Sequence, residues 1–438
     1  MEPEEKMLSE KRKRNMKLYS YHKMLTTDLL FYYGIKFLFL TQIKGLTAGD
    51  IVLASAFWGI FKVLFQIPMT TIIDKLGNRK GLIIADLTQA ISVILVMASN
   101  NFQILILANV FGAIAHTTKE VAEAGLLNQS IPEGENKGQI YSKIEGKGIG
   151  NYYYLSAVSA ILSGILFDIN GYIPMAICVI TVLVATLIAS KFENIKIEKT
   201  INVKENSNIK EKYRTYFKDL KLAFSFIFNS RRLKALMIYS GVMYGIILVM
   251  NTYEMGLLDE IEMSATGTGI VYAAMQIVAG IASKQQNKFH NKYKNKTLSV
   301  IGISYVLAIL IAGVASIVKL PHFAIIAIIV VTYVIRYLGT GQYYVLIKKY
   351  LTNFTNVEVA NKVYSAHGLV TGIGNTIICA LGSTIVSHNS IKHSMIIFGL
   401  VFLAIMVVVL NYMKTRIGLE PTEYRKKDIN YKEYISVK

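Results

Sequence analysis

Three observations in this sequence predict an all-α membrane protein of twelve transmembrane helices, arranged as two pseudo-symmetric six-helix bundles. The chain of 438 residues is 53% hydrophobic and only 17% charged, with a mean hydropathy of +0.42. A soluble chain of this length carries more charge and fewer long apolar runs. Apolar stretches of roughly 20 residues, enough for the hydrocarbon core of a bilayer, recur from one end to the other. Two further stretches are each written twice, once in either half, at corresponding places between those spans.

The spans follow in order. Residues 29–40 with their flanks form the first, followed by 51–73, 82–98, 102–115, 152–167 and 172–189. The second set is 235–250, 267–282, 298–318, 323–335, 369–386 and 395–410. Between the sets apolar content drops and Lys, Glu and Asn dominate. The chain therefore divides into an N-terminal bundle over 1–192, a linker over 193–231, and a C-terminal bundle with its tail over 232–438. Within the linker Tyr213, Phe217, Leu220 and Phe224 fall three or four apart, with Lys212, Lys218 and Lys221 on the other face. That spacing fits an amphipathic helix on the membrane surface and equally an extension of the seventh span.

The duplication supports the same division. Asp74-Lys75-Leu76-Gly77-Asn78-Arg79-Lys80 returns in looser form as Asn291-Lys292-Tyr293-Lys294-Asn295-Lys296-Thr297. Tyr141-Ser142, running on to Gly148-Ile149-Gly150-Asn151, returns as Tyr364-Ser365, running on to Gly372-Ile373-Gly374-Asn375. Two similar membrane-buried halves can rock against each other around a site at their interface, which is what a secondary transporter requires.

The formal net charge of +19 is distributed by loop. Lys11, Arg12, Lys13, Arg14 and Lys17 precede span one; Lys75, Arg79 and Lys80 follow span two; the linker is basic; Lys288, Lys292, Lys294 and Lys296, then Lys348 and Lys349, then Arg425, Lys426 and Lys427 complete the series. The alternate loops hold chiefly Lys44, Lys319 and Lys392. By the positive-inside rule both termini and the linker are cytoplasmic, in a multi-pass protein of the plasma membrane. No basic and aromatic segment stands outside the membrane as a folded module, so no nucleic-acid partner is expected. Cys178 and Cys379 lie inside apolar spans and read as small core residues. The basic head feeds the first span without a small-residue cleavage site, so that span is expected to stay as an uncleaved anchor.

The run after span two, Thr70-Thr71-Ile72-Ile73-Asp74-Lys75-Leu76-Gly77-Asn78-Arg79, resembles the signature of the major facilitator superfamily, Gly-x-x-x-Asp-Arg-x-Gly-Arg-Arg/Lys. Asp74, Gly77 and Arg79 match it, and Lys75 keeps the charge of the first arginine. Thr70 and Asn78 depart from it. In architecture the resemblance covers nearly the whole chain. It implies a cytoplasmic latch in which Asp74 faces the N-terminal end of a helix from the other half. Arg79 would pair with a carboxylate near the inner end of span four, for which Glu123 is the candidate. The plainer alternative is that Lys75, Arg79 and Lys80 only set topology. In the second copy Asn291 replaces the aspartate, and Asn109 stands about where family members carry an arginine in span four. No proline neighbours Gly148, Gly150 or Gly164, unlike the span-five motif of drug and proton antiporters.

Ionisable groups inside a bilayer cost about 2.5 to 3.5 kcal/mol each on insertion scales, which makes them functional candidates. Asp28, Tyr32 and Lys36 are spaced by four in span one. In span four His116, Lys119, Glu120 and Glu123 form an i, i+3, i+4, i+7 stripe. Span ten carries Arg336, Thr340 and Tyr344, and span seven Asn251 and Glu254. The resemblance places spans one, four, seven and ten around a central cavity, so these residues are expected to line a substrate or proton pathway. Lys62, Lys143, Glu145, Lys147 and His367 have the stronger structural reading, and Asp86 reads as the partner of a nearby base. A deep basic set of Lys36, His116 and Arg336 would suit an acidic substrate, while Asp28, Glu120 and Glu123 suit proton loading.

The function these readings imply is alternating-access transport of a small organic solute. Proton-coupled efflux of drugs or metabolites leads, uptake of an organic anion comes second, and a non-transporting membrane sensor on the same fold is the alternative from another class. No nucleophile and base, metal cluster or phosphate loop points to an enzyme, a metal or a cofactor. The expected partners are the solute, protons and the lipid bilayer, with the monomer as the functional state.

Overall fold

The computed structural model describes residues 3–132, 137–193, 195, 209–353 and 357–413, and every regular element among them is helical. In order these are α1 (Pro3–Thr26), α2 (Lys36–Leu38), which runs into a π-helical turn (Phe39–Ile43), α3 (Ala48–Leu76), α4 (Asn78–Ala98), α5 (Phe102–Ser130), α6 (Lys137–Ile169) and α7 (Tyr172–Ser190). Then come α8 (Ile209–Asn229), α9 (Arg231–Glu260), α10 (Ala265–Lys284), α11 (Gln286–Tyr293) with a 3-10 turn (Lys294–Lys296), α12 (Thr297–Ala315), α13 (His322–Asn353), α14 (Val357–His388) and α15 (Ile391–Met413).

Eleven of these helices are long and apolar enough to cross a membrane: α3 to α7, α9, α10 and α12 to α15. They account for spans two to twelve. Span one is the exception, because its helix is broken. The polar α1 stops at Thr26, residues 27–35 run through turns, and helix resumes only at Lys36. Phe31 there adopts a left-handed backbone at φ 62°, a conformation costly for a bulky residue. The Asp28 carboxylate accepts the Leu29 N–H at 2.9 Å, a local bond that competes with the helical one. Asp28, Tyr32 and Lys36 therefore do not share the helical face that their spacing predicts.

The chain forms two compact units. Unit 1 is Met1–Leu46, Ile60–Tyr213 and Ser264–Ala273; unit 2 is Thr47–Gly59, Arg214–Met263 and Ala274–Lys438. The start of the second span of each half thus belongs with the other half's bundle.

In unit 1, α4 lies along α5 and α7, and α1 along α6 and α7. Tyr19, Leu82, Leu127, Ile131 and Phe192 form a buried core among them. Gly77 joins α3 to α4 at φ 84°, which only glycine adopts without strain. Asn101 caps α5 by accepting the Ile104 N–H at 3.0 Å. The start of α10 packs on α6 so tightly that a Cβ added at Gly164 would run into the Ala265 carbonyl, and one at Gly269 into that of Ala160. Asp168 fastens this contact by accepting the Thr266 N–H at 3.1 Å and hydroxyl at 2.5 Å.

In unit 2, α9 lies along α14, and α12 along α13 and α15. Three side chains of α14 hydrogen-bond the opening turns of α3: Asn375 to the Ser55 carbonyl at 2.9 Å, Thr376 to that of Ala56 at 3.2 Å, and Ser383 to that of Gly49 at 2.8 Å. The linker helix α8 ends at Asn229, and Ser230 caps a separate α9 by accepting the Leu233 N–H at 3.3 Å. Residues 213–224 lie within α8, which Ser230 alone separates from α9. Helix α8 buries Leu220, Phe226 and Ile227 and leaves Phe217 and Phe228 exposed. The linker residues 196–208 and the basic tail lie outside the described residues.

Candidate functional site

Unit 1 holds a buried charged network where α1, α4, α5 and α6 meet. Glu123 is its centre: one carboxylate oxygen receives the Lys23 ammonium at 2.6 Å, and the other receives the Thr26 hydroxyl at 3.2 Å. Lys23 also reaches Glu145 at 3.2 Å, and the Tyr19 hydroxyl donates to Glu145 at 2.5 Å. His22, fully buried, sits 2.9 Å from Asp86 through Nε2 and 3.7 Å from Glu123 through Nδ1. Asp86 thus meets the basic partner expected of it, on a residue the span reading passed over. The signal was present: Tyr19, His22, Lys23 and Thr26 fall at i, i+3, i+4 and i+7, a polar stripe of the same form as the one in α5.

Beside this network lies a polar surface that solvent reaches. Glu120 is half exposed and pairs with Lys62 of α3 at 3.1 Å; His116 stands 3.7 Å away on the preceding turn. Lys119 donates to the Thr26 carbonyl at the open end of α1, where a helix presents partial negative charge. Asp28 follows two residues later, exposed to solvent, with Lys119, Lys36 and Tyr33 as its polar neighbours. Lys36 holds its ammonium 5.7 Å from the centroid of the buried Tyr32 ring. The expected α5 stripe is divided accordingly: His116 and Glu120 lie on the accessible side, and Glu123 is sealed among α1, α4 and α6.

In unit 2 Arg336 of α13 is completely buried and ion-paired through Nη1 with Glu254 of α9. Its guanidinium carbon lies 4.3 Å from the Tyr333 ring centroid, and the Tyr333 hydroxyl donates to the Glu254 carbonyl at 2.6 Å. Nε and Nη2 of Arg336 and Oε2 of Glu254 have no hydrogen-bond partner among the described residues. Asn251 and Tyr344 are exposed. His367 meets Ser240 at 2.7 Å.

The expected latch is arranged differently. Arg79 donates to the Ser190 carbonyl at the end of α7, at 2.5 Å, and Glu123 is occupied by Lys23, so the structure does not pair Arg79 with Glu123. The neighbouring Asn78 holds Gln129 of α5 at 3.0 Å. Asp74 lies in α3, and its side chain is outside the described ones. Among the described residues, no group of three or more His, Cys, Asp or Glu has metal-holding geometry.

A family model, Major Facilitator Superfamily, matches residues 25–345. No curated protein sequence matches the chain. Among solved structures, nucleoside transporter NupG superposes with a TM-score of 0.68 at 13% identity, covering 92% of this chain and 99% of its own. A D-xylose-proton symporter superposes with a TM-score of 0.64 at 11% identity over 94% and 98%. A POT family transporter in complex with 5-aminolevulinic acid gives 0.63 at 12% over 92% and 95%. At these identities the likeness is one of fold.

Proposed function

The chain belongs to the Major Facilitator Superfamily, and from that premise we propose that it is a proton-coupled secondary transporter exporting a small organic solute, a drug or metabolite. The observation that carries this reading is a pair of solvent-reached carboxylates, Asp28 and Glu120, each beside a lysine. Such groups are costly at membrane depth and persist where they work on an ion or solute path. A carboxylate whose lysine partner moves during alternating access changes its proton affinity, which is the requirement for coupling. The basic loops support a plasma-membrane orientation with both termini in the cytoplasm.

The test uses vesicles reconstituted with purified protein and loaded with a pH-reporting dye, challenged with solutes that raise the protein's melting temperature. Wild type is expected to move protons on solute addition. Glu120→Gln is expected to lose that proton movement while keeping solute exchange, and Asp28→Asn to lose the proton movement. Gradient dependence unchanged in both variants refutes the coupling assignment.

A second reading, uptake of an organic anion, is favoured by Nε and Nη2 of Arg336, which have no hydrogen-bond partner among the described residues and form the edge of a guanidinium that grips a carboxylate in two-toothed fashion. It predicts that Arg336→Lys abolishes transport of an anion. The export reading predicts that transport of a cation survives that change.

A further inference from the structure

We propose that the break in span one is a binding site for an organic cation, with Asp28 taking the ammonium group and Tyr32, Tyr33, Tyr152 and Tyr153 walling it. The proposal rests on the transport reading for what the site is for, and names the class of solute.

The site begins with the backbone. A non-helical stretch at membrane depth survives only where it is buried in protein or lines a polar cavity. A phenylalanine held at φ 62° survives only where its surroundings impose it. The interruption puts Asp28 just past the carbonyl end of α1, where the Thr26 carbonyl holds the Lys119 ammonium. Solvent reaches Asp28 although the residues around it belong to helices of the bundle.

The walls are aromatic. Tyr32 and Tyr33 meet edge to face with centroids 5.1 Å apart, and Tyr152 and Tyr153 of α6 stand 5.6 Å apart. Tyr33, Tyr152 and Tyr153 all lie within electrostatic reach of the Asp28 carboxylate. Tyr272 of α10 packs against a floor of the small side chains Ala157, Ala160 and Ala273. Tyrosine faces carry negative potential, so a carboxylate ringed by them favours a positive ligand and repels an acid.

The protein already supplies cations to this place. The Lys36 ammonium lies over the Tyr32 ring, and Lys119 sits on the Thr26 carbonyl. Both act on Asp28. These ammonium groups mark the positions that a ligand's own would take, and Lys36 is its competitor.

The experiment is equilibrium dialysis of the purified full chain with benzyltrimethylammonium, benzyl alcohol and benzoate. The cation is expected to bind at least about tenfold more tightly than either of the others, as a desolvated charge and cation-π contact would give. Asp28→Asn should weaken it about tenfold and Tyr152→Leu about threefold. Lys36→Gln should tighten it about threefold by removing the competitor, a gain that no loss of folding produces. Equal binding of the three probes, no binding of the cation, or weaker binding by Lys36→Gln overturns the proposal. Solute-driven proton movement that persists without cation binding overturns this inference alone. Cation binding without any flux overturns the transport reading and leaves the site standing.

Discussion

At the scale of single residues, Glu123 carries the most consequence, because three residues of α1, His22, Lys23 and Thr26, commit charged or polar groups to it in a place closed to water. Removing one partner of such a cluster leaves the others buried without compensation, at a cost of about 3 to 5 kcal/mol, whereas replacing a pair by apolar groups of similar volume costs far less. Glu123→Ala is therefore expected to lower the melting temperature in detergent sharply, and Glu123→Leu combined with Lys23→Met to recover much of the loss. A double variant as unstable as the single one would show that the pair is held together by packing. The same residue shows how far the sequence could be read. Its place on a polar stripe of α5 is visible in the spacing, but its partners are on α1. The basic residues of α1 have a sufficient explanation in topology, which hides the chemistry of the stripe of Tyr19, His22, Lys23 and Thr26. Arg79 illustrates the converse: the family motif implies a carboxylate for it, and the structure gives it a carbonyl at the end of α7.

At the scale of elements, span one separates what periodicity reveals from what it does not. Spans two to twelve are legible because hydropathy and length alone decide them. A four-residue spacing reports the face that a helix would present, and says nothing about whether the helix continues. The stretch 27–35 has a single glycine and no proline to announce an interruption. The break is met by a group far away in sequence, Lys119, which donates to the Thr26 carbonyl. Its strain is testable. Phe31→Gly relieves a left-handed conformation that costs a non-glycine residue about 1 to 2 kcal/mol, against a glycine entropy cost of about 0.5 to 1 kcal/mol. Phe31→Val, whose β-branch disfavours that conformation further, should destabilise. Glycine is thus expected to leave the melting temperature level or raised and valine to lower it. Equal losses from both would mean that the Phe31 ring, rather than its backbone, is what the protein needs.

At the scale of the whole molecule, the written duplication anticipated two six-helix halves, and its second echo falls on the two helices, α6 and α14, that receive the exchanged segments. The exchange itself was out of reach, since neither repeats nor hydropathy tell which bundle the first turns of a span will join. It matters because a molecule that works by rocking two halves must part the first turns of α3 from α14 at some stage of its cycle. Those turns are clasped by Asn375, Thr376 and Ser383. They also approach closely enough to be tied. A Cβ built at Gly49 lies 3.5 Å from the Ser387 Cβ, inside the range of about 3.5 to 4.5 Å that a disulfide needs. Gly49→Cys with Ser387→Cys is expected to cross-link on oxidation, the native Cys178 and Cys379 being buried and so inert to the oxidant. The cross-link should stop solute-driven proton movement in vesicles, and reduction should restore it. Each single cysteine variant should be indifferent to oxidant, which separates the tie from the clash of a new side chain. Continued flux through a fully cross-linked protein would mean that this contact stays closed throughout the cycle, and that any opening occurs along other helices.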